Sequence, residues 1–223
     1  ALQLVRSHVP DIIVSDVMMP RMNGYKLCKT IKEDINISHI PVILLTARDD
    51  RQSQISGYKN GADGYLSKPF EVEMLMELIR NRLKNREYTK KRYLNAGLIP
   101  TPEESTISLT DETFLIKLNS IIQENIDNTN LGIQFICQEV GLGRSSLYNK
   151  LKALTGMGAN EYISKLRIEK AITLISGTDM PFSEIAEKTG FTTPSYFSTA
   201  FKQYTGETPS QYKERKKKGL ADK

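Results

Sequence analysis

Apolar and polar positions follow two different rhythms along this chain. Up to about residue 87, short branched runs that are apolar almost throughout alternate with stretches whose apolar residues recur every three or four positions. Asp11-Ile12-Ile13-Val14-Ser15 and Pro41-Val42-Ile43-Leu44-Leu45 are of the first kind, and such runs predict strands covered on both faces of a parallel sheet. Gly64-Tyr65-Leu66-Ser67 predicts a third strand. Helices are expected over Leu2 to Ser7, Tyr25 to Asp34 and Arg51 to Asn60, and from about Val72, where Leu75, Ile79 and Leu83 share one stripe. Strands alternating with helices read as the latter part of a doubly wound α/β domain.

The second rhythm starts after an interruption. Gly97, Pro100 and Pro102 break any helix between Leu94 and Thr110, and Glu103-Glu104-Ser105-Thr106 adds polarity, as in an interdomain linker. The expected organisation is an α/β domain over residues 1–87, a linker over 88–110, an all-helical domain over 111–215 and a basic tail over 216–223. Within the helical part, Thr113 to Asn125 carries Phe114, Leu115, Leu118, Ile121 and Ile122 at helical spacing. One pattern then occurs twice, about fifty residues apart. Ile136-Cys137-Gln138-Glu139-Val140-Gly141 runs on to Ser146-Leu147-Tyr148, Leu151-Lys152 and Thr155-Gly156, and Ile185-Ala186-Glu187-Lys188-Thr189-Gly190 runs on to Ser195-Tyr196-Phe197, Phe201-Lys202 and Thr205-Gly206. Each copy reads as a short helix, a turn at glycine and a second helix with one apolar face, a helix-turn-helix. A helix near Asn160 to Ile175 joins them.

Composition narrows the classes without naming one. The 223 residues contain no run approaching the roughly 18–20 apolar residues of a membrane span. Net charge is +5, and from Asp111 onward 15 Lys and Arg face 13 Asp and Glu, so placement of charge rather than its sum must argue for nucleic acid. Cys28 and Cys137 stand alone without CxxC spacing, and Cys137, in the place of Ala186, is expected to be a small buried residue in a reducing cytoplasm. His8 and His39 lack metal-ligand spacing and are expected at the surface. Lys213-Glu214-Arg215-Lys216-Lys217-Lys218 reads as a solvated tail that adds phosphate attraction. No signal peptide is visible and the first residue is not Met, as expected for a fragment of a longer cytoplasmic polypeptide.

Candidate chemistry gathers at the strand ends. Asp16 follows the first strand, Thr46 ends the second and Lys68 ends the third, so a carboxylate, a hydroxyl and an ammonium reach one sheet edge. With Ile13-Val14-Ser15-Asp16-Val17-Met18-Met19-Pro20, Gly24, Leu44-Leu45-Thr46-Ala47 and Gly61-Ala62-Asp63-Gly64-Tyr65-Leu66-Ser67-Lys68-Pro69-Phe70, the first 87 residues resemble a response-regulator receiver domain, a flavodoxin-like fold. The resemblance implies that Asp16 accepts a phosphoryl group from a histidine kinase, that Thr46 hydrogen-bonds the phosphoryl oxygen, that Lys68 neutralises its charge, that Tyr65 is the aromatic switch, and that Lys68-Pro69 is cis. A carboxylate attacks phosphorus readily only when its charge and the incoming oxygens are countered. The first strands of a receiver and their acidic pair are missing, so Asp16 and the Met18 carbonyl would make an incomplete Mg²⁺ site. Mg²⁺ is expected for an intact receiver and not for this fragment, which should phosphorylate poorly. An enzyme is not expected: a phosphohydrolase built on Asp16 would need a carboxylate where Met18 stands.

In the second repeat Phe197, Phe201 and Tyr204 form the expected buried stripe, leaving Ser195, Tyr196, Ser198, Thr199 and Lys202 outward. In the first, Leu147, Leu151 and Leu154 form the stripe and Arg144, Ser145, Tyr148, Asn149 and Lys152 are outward. Asn suits adenine, Arg guanine, hydroxyls several base edges, and Lys phosphate. With Gly190-Phe191, Gly206-Glu207-Thr208-Pro209-Ser210-Gln211-Tyr212, Leu154-Thr155-Gly156, Leu166-Arg167 and Ala171, residues 111–215 resemble the AraC-type DNA-binding domain. That implies two helices in successive major grooves roughly 34 Å apart. Gly143, where a capping Ser is common, and Ala159, where the second copy has Pro209, depart from the pattern. The whole resembles the output end of a hybrid two-component regulator. Its implied partners are double-stranded DNA, a histidine kinase module in the same or another polypeptide, a second copy in a homodimer, and RNA polymerase. The alternative is a phosphorylation-independent dimerisation scaffold carrying a DNA-binding domain.

Overall fold

The computed structural model describes residues 1–47, 60–96 and 108–221, among which lie three strands and ten helices. The helix expected at Arg51 to Asn60, apart from Asn60 itself, and residues 97–107 of the expected linker fall outside them. The chain forms two compact units, one of Ala1–Ile116 with Ser145–Gly156 and one of Lys117–Arg144 with Met157–Lys223.

In the first unit, β1 (Ile13–Asp16), β2 (Val42–Thr46) and β3 (Gly64–Ser67) form a parallel sheet in the order β1-β2-β3. The register pairs Asp16 with Leu45 and Thr46 with Ser67, which brings the carboxyl ends of all three strands to one edge. Val42, Ile43 and Leu44 are fully buried, as their unbroken apolar run requires of a central strand. Helix α1 (Leu2–His8) contributes Val5 to the core, and α2 (Gly24–Glu33) contributes Leu27, Cys28 and Ile31. Asn23 caps α2 by accepting a hydrogen bond from the Lys26 backbone N–H at 2.8 Å, satisfying one orphan donor of the first turn. Helix α3 (Val72–Ala96) carries Leu75, Leu78, Ile79 and Leu83 on a half-buried stripe. The unit also includes the start of α4 (Leu109–Glu124) and α6 (Arg144–Thr155).

The second unit holds the rest of α4, α5 (Ile133–Val140), α7 (Ala159–Gly177), α8 (Phe182–Lys188), α9 (Pro194–Thr205) and α10 (Pro209–Ala221). Helix α7 packs against α8, α9 and α10, around a core of Ile168, Ala171, Ile175, Ile185, Ala186, Phe191, Phe197, Phe201 and Tyr212. No helix among the described residues is long and apolar enough to cross a membrane.

Candidate functional site

The strand ends assemble as expected. Asp16 closes β1, and its carboxylate accepts hydrogen bonds from the Met18 backbone N–H at 3.1 Å and from the Lys68 ammonium, with which it also forms an ion pair. The Lys68 hydrogen bond, then the Met18 N–H, holds the Asp16 carboxyl below the usual carboxylate range, so it stands ionised. The chain beyond β3 is tied in by the Lys68 N–H donating to the Thr46 carbonyl at 2.6 Å, and the chain beyond β1 by the Val17 N–H donating to Leu45 at 2.7 Å. Thr46 is buried at the end of β2. Tyr65 is half-buried against the core, and the Lys68-Pro69 peptide is cis.

Gly24 has a role that residue type alone did not explain. Its N–H donates to the Val17 carbonyl at 2.9 Å, and a Cβ there would stand 2.4 Å from the Asp16 carbonyl oxygen. Only glycine lets α2 start this close to the carboxylate-bearing loop. A Pro followed four residues on by Gly, just after the Asp, was the available signal.

Receiver domains generally use Mg²⁺, a hard cation that takes about six oxygens. Asp16 and the Met18 carbonyl offer two, and no group of three His, Cys, Asp or Glu among the described residues could hold a metal ion. The residues described here do not by themselves make that site.

The helix-turn-helix residues divide by burial. In α9, Phe197 and Phe201 are fully buried, while Ser195, Tyr196, Thr199 and Lys202 are exposed and Ser198 is half-buried. The N-terminus of α9 is fixed by Thr193, whose hydroxyl accepts from the Tyr196 N–H at 3.1 Å, with Pro194 in the first turn. Thr199 Oγ1 donates to the Ser195 carbonyl at 3.1 Å, leaving its methyl and lone pairs to face outward. Tyr204 is a correction: it is 39% exposed rather than part of the buried stripe. It closes the last turn of the helix near Glu161 and Glu169, where partial burial and these carboxylates raise its hydroxyl pKa.

In α6, Leu147, Leu151 and Leu154 are buried, and Arg144, Ser145, Tyr148 and Lys152 are exposed. Arg144 donates to the Gln134 side chain at 3.2 Å. Asn149, expected outward, is half-buried and lines a recess with Arg6, Ser7 and Asn36. Cys137, expected to be buried like Ala186, is half-buried. His39, expected at the surface, is buried, and Lys150 is completely buried. The ammonium of Lys150 pairs with Asp111 and donates to Ser38 Oγ at 2.8 Å. Nothing local in the sequence marks the burial of Lys150, since its partners lie far along the chain.

Comparison with known proteins follows the same division. The family model of the response regulator receiver domain matches residues 1–80, and a helix-turn-helix domain model matches residues 136–215. The chain is 43% identical over 215 residues, 96% of its length, to the protein named "Histidine kinase P4" of Formosa agariphila, of which it spans only 16%. It is 30% identical over 172 residues to the "Probable transcriptional regulator ycf29" of Pyropia yezoensis, covering 72% of this chain and 78% of that protein. Among solved structures, the C-terminal domain of the two-component response regulator yesN from Fusobacterium nucleatum matches 45% of this chain and 98% of its own, at 30% identity and a TM-score of 0.43. This chain belongs to the response-regulator family, with a receiver domain followed by an AraC-type helix-turn-helix domain.

Proposed function

We propose that this chain is the DNA-binding output part of a two-component phosphorelay, a transcription regulator rather than an enzyme. Asp16 is the phosphoacceptor: a carboxylate oxygen attacks the phosphorus of a kinase phosphohistidine, the P–N bond breaks, and the imidazole leaves with the electron pair. The Thr46 hydroxyl and Lys68 ammonium then face the new phosphoryl oxygens in place of the carboxylate. Lys68 must change partner for this, which gives the modification a route to the sheet edge and to Tyr65. A phosphoryl group shifts a conformational equilibrium only by its differential interaction with the two states, about 5.5 kcal/mol for a full reversal from 1:99 to 99:1.

The observation that carries the DNA-binding reading is the division of α9. Two fully buried phenylalanines fix the helix while Ser195, Tyr196, Thr199 and Lys202 project from its other side. Arg144, Ser145, Tyr148, Asn149 and Lys152 are the corresponding readers on α6, where base contact requires Asn149 to leave its recess. A second copy of the chain and RNA polymerase are the further partners of this reading. Selection from random duplex DNA by the purified chain tests it. A motif with two elements about 10–10.5 base pairs apart is expected, with Thr199→Ala relaxing preference in one element and Asn149→Ala in the other. Enrichment of no motif defeats the proposal. Phosphoryl transfer from the cognate kinase, measured on the full polypeptide, should vanish in Asp16→Asn.

A further inference from the structure

A polar cavity of about 70 Å³ lies in the first unit between α2, the segment leading into β2, α3 and the first turn of α4. On the same measure a cavity needs only about 10–15 Å³ for one water, so this one has room for several waters or for one ion of five heavy atoms. Two of its buried polar atoms, His39 Nδ1 and Arg82 Nε, have no hydrogen-bond partner among the described residues, although His39 is only 7% exposed. Buried polar atoms are nearly always satisfied, so whatever fills the cavity must satisfy these.

The charges around the cavity identify what that is. Its two carboxylates are already matched: Asp63 by Lys32 at 2.7 Å, and Asp111 by Lys150. Arg82 and Arg86 remain. Among the described residues Arg86 reaches the Asp11 backbone carbonyl at 3.2 Å and the Asp11 carboxylate at 3.8 Å, and that side chain is 91% exposed. With Asp11 counted, four cations face three anions, leaving an excess of one positive charge, carried by Arg82, in a partly dehydrated space. Burial holds the His39 imidazole in its neutral form, with Lys150, Arg86 and Lys32 reinforcing this. A neutral imidazole can still donate Nδ1–H.

We propose that this cavity binds a small tetrahedral oxyanion of the inorganic phosphate class. Arg82 Nε–H and His39 Nδ1–H donate to it, and Arg82 supplies the balancing charge. Hydrogen bonds from cationic donors to an oxyanion are the strong kind, and a bound oxyanion offsets the excess charge. The volume excludes a nucleotide. This site is separate from the Asp16 edge and does not depend on DNA binding.

Calorimetric titration of the whole chain with inorganic phosphate, at ionic strength held constant with chloride, tests the assignment. Saturable binding is expected, weakened at least tenfold in Arg82→Gln and in His39→Phe. It should be retained in Lys68→Gln and Lys202→Gln, which remove cations from the strand-end edge and from α9. Sulfate should compete; adenosine monophosphate should not. If Arg82→Gln fails to fold by circular dichroism, Arg82→Lys keeps the charge and lacks the Nε donor, and the same weakening is expected. No saturable binding to the unmodified chain, equal binding in the Arg82 variants, or displacement by chloride alone would each mean that water satisfies these two atoms, and would overturn the proposal.

Discussion

The two copies of the repeated motif share a backbone frame and differ in what holds their second helices. Their turn glycines, Gly141 and Gly190, have φ of 74° and 72°, and their closing glycines, Gly156 and Gly206, have φ of 77° and 84°. Yet α9 is anchored by a run of aromatic contacts, with ring centroids at 5.4 Å for Phe191 and Phe197, 5.7 Å for Phe197 and Phe201, and 5.6 Å for Phe201 and Tyr212. Helix α6 buries leucines and, at the position matching half-buried Ala200, a lysine. The Lys150 ammonium stands 5.1 Å from the Phe114 ring, paired with Asp111. Burial pushes the Asp111 carboxyl up, but Lys150 and hydrogen bonds from Lys150, Ser38 and Ser108 more than offset it and keep the group ionised. A repeated sequence frame thus preserves turns and outward faces while the interior is set by neighbours: one copy rests on dispersion, the other includes charge.

The largest expected effect breaks that charge. Lys150→Ala leaves Asp111 buried without its cation, a loss of about 3–5 kcal/mol, whereas Ala200→Ser at the matching position should stay within about 0.5 kcal/mol. Replacing both charges, Lys150→Met with Asp111→Leu, should recover most of the loss, because an apolar pair carries no desolvation penalty. Denaturant unfolding followed by circular dichroism measures all three variants. A Lys150→Ala cost below 1 kcal/mol would show that Asp111 is not held as an isolated pair with Lys150.

Next comes the turn. An alanine at a left-handed position costs about 1–2 kcal/mol in either copy, and at Gly141 nothing lies within 4 Å of the added Cβ. At Gly190 that Cβ would stand 2.2 Å from the Ile126 carbonyl oxygen and 2.6 Å from Arg167 Nη2. Arg167 is buried there and donates to the carbonyls of Ile126 at 3.2 Å and Asn128 at 2.7 Å. Displacing it adds about 1.5–3 kcal/mol for charged hydrogen bonds, so Gly190→Ala should be clearly the more destabilising in the same assay. Equal costs would mean that Arg167 yields freely.

These contrasts also mark how far the sequence could be read. The three strands, the α2 stripe and the Phe197–Phe201 face follow from local periodicity, and the structure carries them. So does the meeting of Asp16 and Lys68, because parallel strands of apolar sequence can only present their ends together. Other features depend on distant partners. Lys150 is buried because Asp111 and Ser38, 39 and 112 positions away, receive its proton donors. His39 reads as a surface residue because an isolated polar side chain before a strand usually is one. Tyr204 fits the helical stripe by angle, but at the last turn of the helix it lies beyond the core and stays 39% exposed.

A pH series should separate the two surroundings. The pKa of His39 is lowered from 6.5 to about 3, by burial first and then by Lys150. The unfolded chain therefore takes up a proton that the folded chain refuses, and stability should fall as pH drops from 6.5 toward 3. The half-buried Tyr204 hydroxyl is shifted the other way, above its usual value of 10. The unfolded chain loses that proton first, so stability should fall as pH rises beyond 10. Midpoints measured across pH 4–11 should show a flattened acid limb in His39→Asn and a flattened alkaline limb in Tyr204→Phe. An unchanged acid limb in the first variant would place the titrating group elsewhere.

The smallest effect concerns the start of each helix. Thr193 accepts the Tyr196 N–H at the head of α9, while Gly143 precedes α6 and has no side chain to do the same. Thr193→Ala should cost about 1 kcal/mol, and Thr193→Gly only a few tenths, since glycine is itself tolerated at a helix cap. Gly143→Ser should gain a few tenths of a kcal/mol by supplying the missing acceptor, provided the added side chain is free to turn toward the first turn of α6. An added Cβ at Gly143 meets nothing within 4 Å, so no packing penalty opposes that gain. A destabilising Gly143→Ser would mean that the backbone entering α6 needs glycine for conformation, and that the two copies differ in their approach to the helix as well as in their interiors.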